Sequence, residues 1–254
     1  MGETVSLLGI RVHSLNKEGM VDAIVRLTES PRPACAFYIN AHCVNIACSD
    51  PDYRSALNAA DLVYSGGMGV IWAASFLGAP LPERVNILDF FDKLAEKLRE
   101  RKTPVYLLGG EPDVSAAAGR ALKERGLNIV GSSQGFLDAS EEAKVIREIR
   151  ELRPALLIVG MGVPKQERWI MAHRGSLNVN LCWGVGAAFE WLSGRRDRAP
   201  GWMVRNGLEW LHRLYQQPSR LWKRYLVGNP VFVYRVLCAK WRLITRSHSD
   251  IRYE

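Results

Sequence analysis

The chain has 254 residues, 48% of them apolar and 24% charged, with 34 Lys and Arg against 26 Asp and Glu. That length builds a sizeable core, and the balance excludes a disordered chain and a polytopic membrane protein. No run nears the ~20 consecutive apolar residues of a spanning helix; the start, MGETVSLLGI, lacks the regions of a secretory signal, although MGETVS loosely fits a myristoylation pattern.

In chain order, β-rich runs alternate with helical patterns. Strands are predicted at Val5–Ile10, Ala34–Ile39, Leu62–Tyr64, Pro104–Gly109, Asn128–Gly131, Ala155–Gly160 and Asn178–Gly184. Helices are predicted at Lys17–Thr28, Cys43–Asn58, Met68–Leu77, Leu88–Arg101, Val114–Arg125 and Glu141–Leu152, with start signals at Ser49-Asp50-Pro51 and at Ser140 followed by acids. CAFYI, VYLLG and LLIVG are continuous apolar runs, as expected for strands buried on both faces. The alternation predicts an α/β protein, a Rossmann-like, mostly parallel sheet flanked by helices.

Ligands of such sheets bind beyond the carboxyl ends of the strands. The loops there are rich in glycine: Ser65-Gly66-Gly67-Met68-Gly69, Gly109-Gly110, Gly160-Met161-Gly162-Val163-Pro164-Lys165-Gln166-Glu167 and Gly184-Val185-Gly186, with Asn40-Ala41-His42 beside them. Glycine after a strand lets backbone N–H groups approach a phosphate. No complete GxGxxG with a following acid and no Walker motif is present, which weakens the dinucleotide-cofactor reading; the glycine loops together favour a phosphate-bearing ligand, and a nucleotide-sugar qualifies as well as a dinucleotide.

Residues 195–254 hold 13 basic against 4 acidic residues and half of the 8 tryptophans, which leaves residues 1–194 nearly neutral. Such a tail points to a polyanionic surface, nucleic acid or an anionic membrane. Pro200, Pro218 and Pro230 divide it into three helical segments, and Asn206–Gln216 spaces Leu208, Leu211 and Tyr215 for packing on the body. The aromatic rings of Trp202, Trp210, Trp222, Tyr225, Phe232, Tyr234 and Trp241 suit the headgroup level of a membrane. No helix-turn-helix, RRM or KH pattern accompanies the tail, so nucleic acid is not the expected partner. The five cysteines are an odd number without CxxC and read as small core residues; the five histidines lack metal-ligand spacing.

GMGVPKQERWI at 160–170, the block from Gly184 to Leu226 containing RAPGWMVRNGLEWLHRL, and INAHCVNIACSDPDYRSALNAADLVYSGGMGV with its continuation to Val85 closely resemble the WecG/TagA/CpsF family of bacterial glycosyltransferases. The resemblance runs from Val5 to Leu226. It implies an inverting transfer of a hexose, of glucose or N-acetylmannosamine type, from a UDP-sugar to a polyprenyl-diphosphate-linked sugar in cell-surface polysaccharide biosynthesis. It implies no metal and no cofactor, a catalytic domain at 1–194, a membrane-associating appendage at 195–254, and a peripheral place on the cytoplasmic face of the cell membrane. Self-association into a homo-oligomer is compatible with it.

Carried over onto this chain, the resemblance assigns the donor site to Asn40, a phosphate to Arg84, the pocket to Gln166 and a structural or ribose-directed role to Glu167; the strand-end glycines Gly67, Gly109, Gly162 and Gly186 are further candidate substrate-binding residues. It assigns the acceptor diphosphate to Arg213, Arg220 and Arg224. Three positions depart from the family pattern. Gly66 stands where the family usually has the Asp proposed as general base, Tyr38 stands where many members have Thr, and Asn86-Ile87-Leu88-Asp89 replaces Asn-Gly-Thr-Asp. An inverting transfer needs the acceptor hydroxyl deprotonated as it attacks. Asp89 and His42 are the candidate replacement bases by loop position; the alternatives are a donor phosphate oxygen taking the proton, or a lipid-sugar-binding member with impaired turnover or none.

Overall fold

The computed structural model describes residues 3–250, with side chains as far as 245. Met1 and Gly2 of the myristoylation-like start, and Arg252 and Glu254 of the tail, lie outside the described residues.

The chain opens with a hairpin, β1 (Thr4–Leu7) and β2 (Ile10–His13), where one strand over Val5–Ile10 was predicted. Leu8 and Gly9 form its two-residue turn, both at positive φ, +49° and +81°. A leucine is a poor signal for such a turn, which is why the run reads as continuous. The His13 Nδ1 accepts the Val63 N–H at 3.1 Å and so ties the hairpin to the edge of the main sheet.

From there the order is α1 (Lys17–Thr28), β3 (Ala34–Ile39), α2 (Ala41–Ser49), α3 (Pro51–Asn58), β4 (Leu62–Ser65), α4 (Met68–Phe76), α5 (Ile87–Glu100), β5 (Val105–Gly109), α6 (Pro112–Glu124), β6 (Ile129–Ser133), α7 (Ala139–Leu152), β7 (Leu156–Gly160), α8 (Lys165–His173) and β8 (Leu181–Gly184). The stretch predicted as one helix over Cys43–Asn58 is two helices. Asp50 ends α2 in an extended conformation and caps α3, with Pro51 in the first turn. Asp138, not Ser140, caps α7 in a reciprocal capping box with Glu141. The run read as a loop through Glu167 becomes α8 at Lys165.

All neighbouring strands of the six-stranded sheet are parallel, in the order β4-β3-β8-β7-β5-β6. Alternate residues of β3 feed two cores: Ala34 and Ala36 pack under α1, α5 and α6, while Cys35, Phe37 and Ile39 pack under α2, α3 and α8. From β3 the chain passes outward to β4 at one edge, while β8, the last strand, is reached from β7 on its other side, so the order reverses between β3 and β8 and the switch point lies at their carboxyl ends.

After β8 the described residues are helical: α9 (Ala188–Leu192), α10 (Gly201–Arg205), α11 (Glu209–Gln216), α12 (Pro218–Trp222), a π turn (Lys223–Val227) and α13 (Gly228–Asp250). Pro230 does not divide the tail as predicted. The Gly228 N–H reaches the Lys223 carbonyl five residues back, and the π turn falls just before the proline, whose missing N–H and ring would disturb an unbroken α-helix. The predicted packing face of α11 is also corrected. Leu211 and Tyr215 are exposed, and Glu209 is the buried residue of that helix.

Phe232 and Val236 of α13 enter the core on the α2 side of the sheet, and Phe232 lies against Gly69 of α4. Asn45 of α2 donates to the Gly228 carbonyl at 2.6 Å, and Arg235 reaches Ser49 Oγ at 3.0 Å. Tyr225 and Phe232 are buried, whereas Trp202, Trp222, Tyr234 and Trp241 are exposed. Among the described residues no helix is long and apolar enough to cross a membrane. Phe232→Ala should cost about 3 kcal/mol through the cavity it leaves, read as a lower urea midpoint, with faster hydrogen exchange in α13 before the sheet opens.

Candidate active site

The three strand ends at the switch point are held together by one aromatic ring. A Cβ on Gly66, after β4, would lie 3.1 Å from Tyr38 Cδ2 and 3.2 Å from Tyr38 Cβ. Gly186, after β8, sits at φ +63°, and a Cβ there would lie 2.5 Å from the Tyr38 hydroxyl. Tyr38 of β3 therefore occupies the space that a side chain at Gly186 would need and crowds one at Gly66. Burial pushes its phenol far above the usual range, so it stays protonated.

Above this ring a small crevice of about 90 Å³ joins a larger cavity of about 650 Å³. Asn40, Gly66, Asn86, Arg213 and Arg224 line both. The crevice continues down to Tyr38, Tyr64, Val185, Ala188 and Trp191 at the ends of β3, β4 and β8. The larger cavity runs outward between α4 and the tail, past Trp72, Phe76, Trp210, Phe232 and Leu237.

Arg84 lines the larger cavity with two carboxylates on it. Its guanidinium pairs with Asp89 Oδ2 at 2.9 Å and with Glu209 Oε2 at 2.9 Å, and all three side chains are about nine-tenths buried. Glu209 Oε1 also accepts from Arg213 at 3.1 Å, and Asp89 pairs with Arg198. Asp89 is thus held by two arginines and lines neither cavity. Glu209 is the site residue that the sequence reading missed; its place within the block RAPGWMVRNGLEWLHRL, one of four acids in a basic tail, was the available signal.

Arg213 stacks over Trp191, with its guanidinium carbon 4.4 Å from the ring centroid. Arg224 has a buried Nε with no hydrogen-bond partner and forms no ion pair with a described residue. Arg220 is exposed, lies 3.9 Å from Glu190 and lines neither cavity.

Asn40 caps α2: its Oδ1 accepts from the N–H groups of His42 and Cys43 at 3.0 and 3.2 Å, which leaves its amide nitrogen for a ligand. His42 lines the larger cavity. Burial first, then the charge of Arg224, lowers its pKa to about 4, so the imidazole is neutral near pH 7.

Gln166 and Glu167 sit behind the site, fully buried. Gln166 Oε1 accepts the Gly186 N–H at 2.8 Å, and its amide donates to Glu167 Oε1 at 2.9 Å. They position the Gly186 loop from below. Gly67 lines the larger cavity as the cap of α4, whereas Gly109, Gly162 and Gly186 line neither cavity. At Gly109 a Cβ would overlap the Gly160 backbone at 2.4 Å, so this glycine serves the approach of β5 to β7. Cys35, Cys43 and Cys182 are buried, free thiols. Among the described residues no three His, Cys, Asp or Glu side chains converge on a point.

Fold and site together define a doubly wound α/β protein with an arginine-lined crevice at the switch point and a largely apolar cavity beside it. The sequence model of the glycosyl transferase WecG/TagA/CpsF family matches residues 5–246, and this chain belongs to that family. It is 30% identical over 244 residues to a protein of Staphylococcus aureus strain MW2 named N-acetylglucosaminyldiphosphoundecaprenol N-acetyl-beta-D-mannosaminyltransferase, with 94% of each chain covered. The protein of the same name from strain NCTC 8325 matches to the same extent.

Two outcomes are expected from these contacts. Glu209→Gln, which leaves Arg84 and Arg213 short of an anion, should cost about 3 kcal/mol, measured by urea unfolding, and should loosen α11 in hydrogen exchange. Burial raises the Glu167 pKa to about 7, so the folded state holds a proton that the unfolded chain releases near pH 4.5. Stability from this group is complete below pH 4.5 and is lost as pH rises through 7. Glu167→Gln should remove that pH dependence and gain up to ~3 kcal/mol over wild type at pH 8.

Proposed function

We propose that this glycosyltransferase moves an N-acetylmannosamine-type hexose from a UDP-sugar to a polyprenyl-diphosphate-linked sugar, without a metal ion, at the surface of an anionic membrane. The observation that carries the reading is Arg224: a cation with a buried, unpartnered Nε, placed where a crevice at the strand ends meets an apolar cavity. The residue is half-buried and lines both openings, so an anion such as a diphosphate can reach a guanidinium that no described carboxylate holds. The relatives' named acceptor, a diphosphoundecaprenol, combines that anion with an apolar chain.

In the reaction the acceptor hydroxyl oxygen forms a bond to the anomeric carbon as the carbon's bond to UDP breaks. The electron pair leaves with the diphosphate of UDP, while Arg213 and Arg224 hold the diphosphate of the acceptor beside it. The hydroxyl proton goes to His42. Asp89 is engaged by two arginines, whereas the His42 ring faces the cavity with a pKa of about 4. That matches the ~3.9 of an ordinary Asp, so the imidazole can serve as the carboxylate expected at position 66 would. Exposed Trp and Tyr on α12 and α13, interleaved with Arg and Lys, support contact with an anionic leaflet.

Transfer of labelled N-acetylmannosamine and of labelled glucose from UDP to a short-chain lipid-diphospho-N-acetylglucosamine, with and without EDTA, tests the reading. Loss of activity in EDTA, or labelling by glucose alone, would overturn that part of it. His42→Ala should lower kcat about 10²-fold or more while calorimetric UDP affinity holds. Because His42 is already the free base above about pH 4, kcat/KM should not fall between pH 8 and pH 5.5 through loss of this base.

The ring of Tyr38 on Gly66 favours a second reading, a binding protein without turnover. Gly66→Asp sets its Cβ tightly against Tyr38, whose ring must give by a few tenths of an ångström; Tyr38→Thr with Gly66→Asp relieves that contact. If wild type is inert and the double variant transfers sugar, the second reading holds.

A further inference from the structure

We infer that the cavity between α4 and α13 is a binding groove for the isoprenoid chain next to the acceptor's diphosphate, so that the protein grips the lipid itself as well as its head. This rests on the acceptor reading above and extends it to a part of the substrate that takes no part in the chemistry.

The cavity has a chemical gradient along its length. At the inner end Arg213 and Arg224 meet Asn40 and Asn86. Outward, the walls are Trp72 and Phe76 of α4 on one side and Phe232, Val233, Val236 and Leu237 of α13 on the other. A nucleotide or a sugar needs polar partners along its whole length, and these walls offer none. A prenyl diphosphate needs cations at one end and hydrocarbon beyond it, in this order.

The volume, about 650 Å³, is that of a small-molecule site and far exceeds what a diphosphate fills. Trp72, Phe76, Val233 and Leu237 are each about half exposed, so the walls continue onto the surface as an apolar rim. An unfilled rim of this kind is unusual in a chain that stays in water. A lipid whose far end lies in a bilayer joins the rim to the hydrocarbon phase and leaves no apolar step to cross. Lys240 stands over Phe76 at 5.5 Å, at the rim, where the headgroups of that bilayer would be.

The anchor of α13 fits this use. Phe232 and Val236 are buried against the body and hold the helix, while Val233 and Leu237, one position on in each case, face the opening. One helix therefore presents a fixed face to the core and a second face to the chain of the substrate.

The test uses the full chain in detergent-free solution, with diphospho-N-acetylglucosamine esters of methanol, geraniol and farnesol as acceptors, each below its micelle concentration. Burial of each added isoprene unit should raise kcat/KM by about 10-fold or more from methyl to geranyl, with a further rise to farnesyl. Val233→Trp, at a half-exposed position that does not carry the fold, should shrink the farnesyl-to-methyl ratio at least several-fold. Equal kcat/KM for methyl and farnesyl acceptors overturns the groove and leaves the transferase reading intact. A loss of UDP affinity in Val233→Trp assigns the cavity to the donor and overturns the groove. A dimer in light scattering that Val233→Trp dissociates, with no dependence on chain length, assigns the face to a second copy and also overturns it. If no acceptor is glycosylated, the transferase reading fails on its own. Calorimetry with geranyl diphosphate still decides the groove: binding that Val233→Trp weakens supports it, and no binding refutes it.

Discussion

The Arg84 guanidinium fixes where the tail sits. It is buried, and a buried cation needs anions within hydrogen-bond reach. One of its carboxylates, Asp89, comes from the first turn of α5, and the other, Glu209, comes from α11 at the far end of the chain. Neither acid can be removed without stranding charge, so body and tail are locked at one relative position. Glu209 then draws Arg213 to the same spot, and Arg213 lies flat on Trp191. The width of the cavity between α4 and α13 follows from that lock and from the seat of Phe232 beside Gly69.

The lock also sorts the arginines by task. Arg84, which the family resemblance assigns to a phosphate, has its donors on two carboxylates in this state. An incoming diphosphate would have to compete with Glu209 for it. Arg224 has no such partner and is ready for an anion as it stands. Arg213 is intermediate, held by one carboxylate and one aromatic face. The three cations are therefore engaged to different degrees, and Arg224, which lies over the Tyr225 ring at 5.5 Å, can meet an anion without breaking an ion pair to a described residue.

What could be read in the sequence follows from the range of the forces involved. The parallel sheet was legible because strands buried on both faces are apolar without interruption, a local property of CAFYI, VYLLG and LLIVG. The hairpin turn at Leu8-Gly9 was not, since a left-handed leucine is decided by pairing of Leu7 with Ile10 and not by its own preference. Pro230 was read as a break because proline usually is one; a π turn just before it is a solution that no composition reveals. The same holds for the site. Asn40, Gly67, Arg213 and Arg224 were recognisable from motif blocks and do line the cavities, while Arg220, in the same block, points to solvent. Glu209 escaped notice because its value lies in what it touches, 125 residues away at Arg84.

Tyr38 and Gly66 show the same limit at closer range. Each is visible alone as a departure from the family pattern. Only the folded chain puts the ring of one against the place of the other's side chain. The two departures are then neighbours in space: the ring that fills the Gly186 corner also crowds a side chain at position 66. In the proposed transfer the proton goes to a group other than a carboxylate at position 66. His42 lines the cavity beside Asn40, and burial first, then the charge of Arg224, keeps it neutral. Base and anion site are thereby coupled in that reading, because an anion bound at Arg224 offsets the smaller part of the lowering. Binding of the diphosphate raises the proton affinity of the base at the moment when the acceptor hydroxyl has a proton to give up.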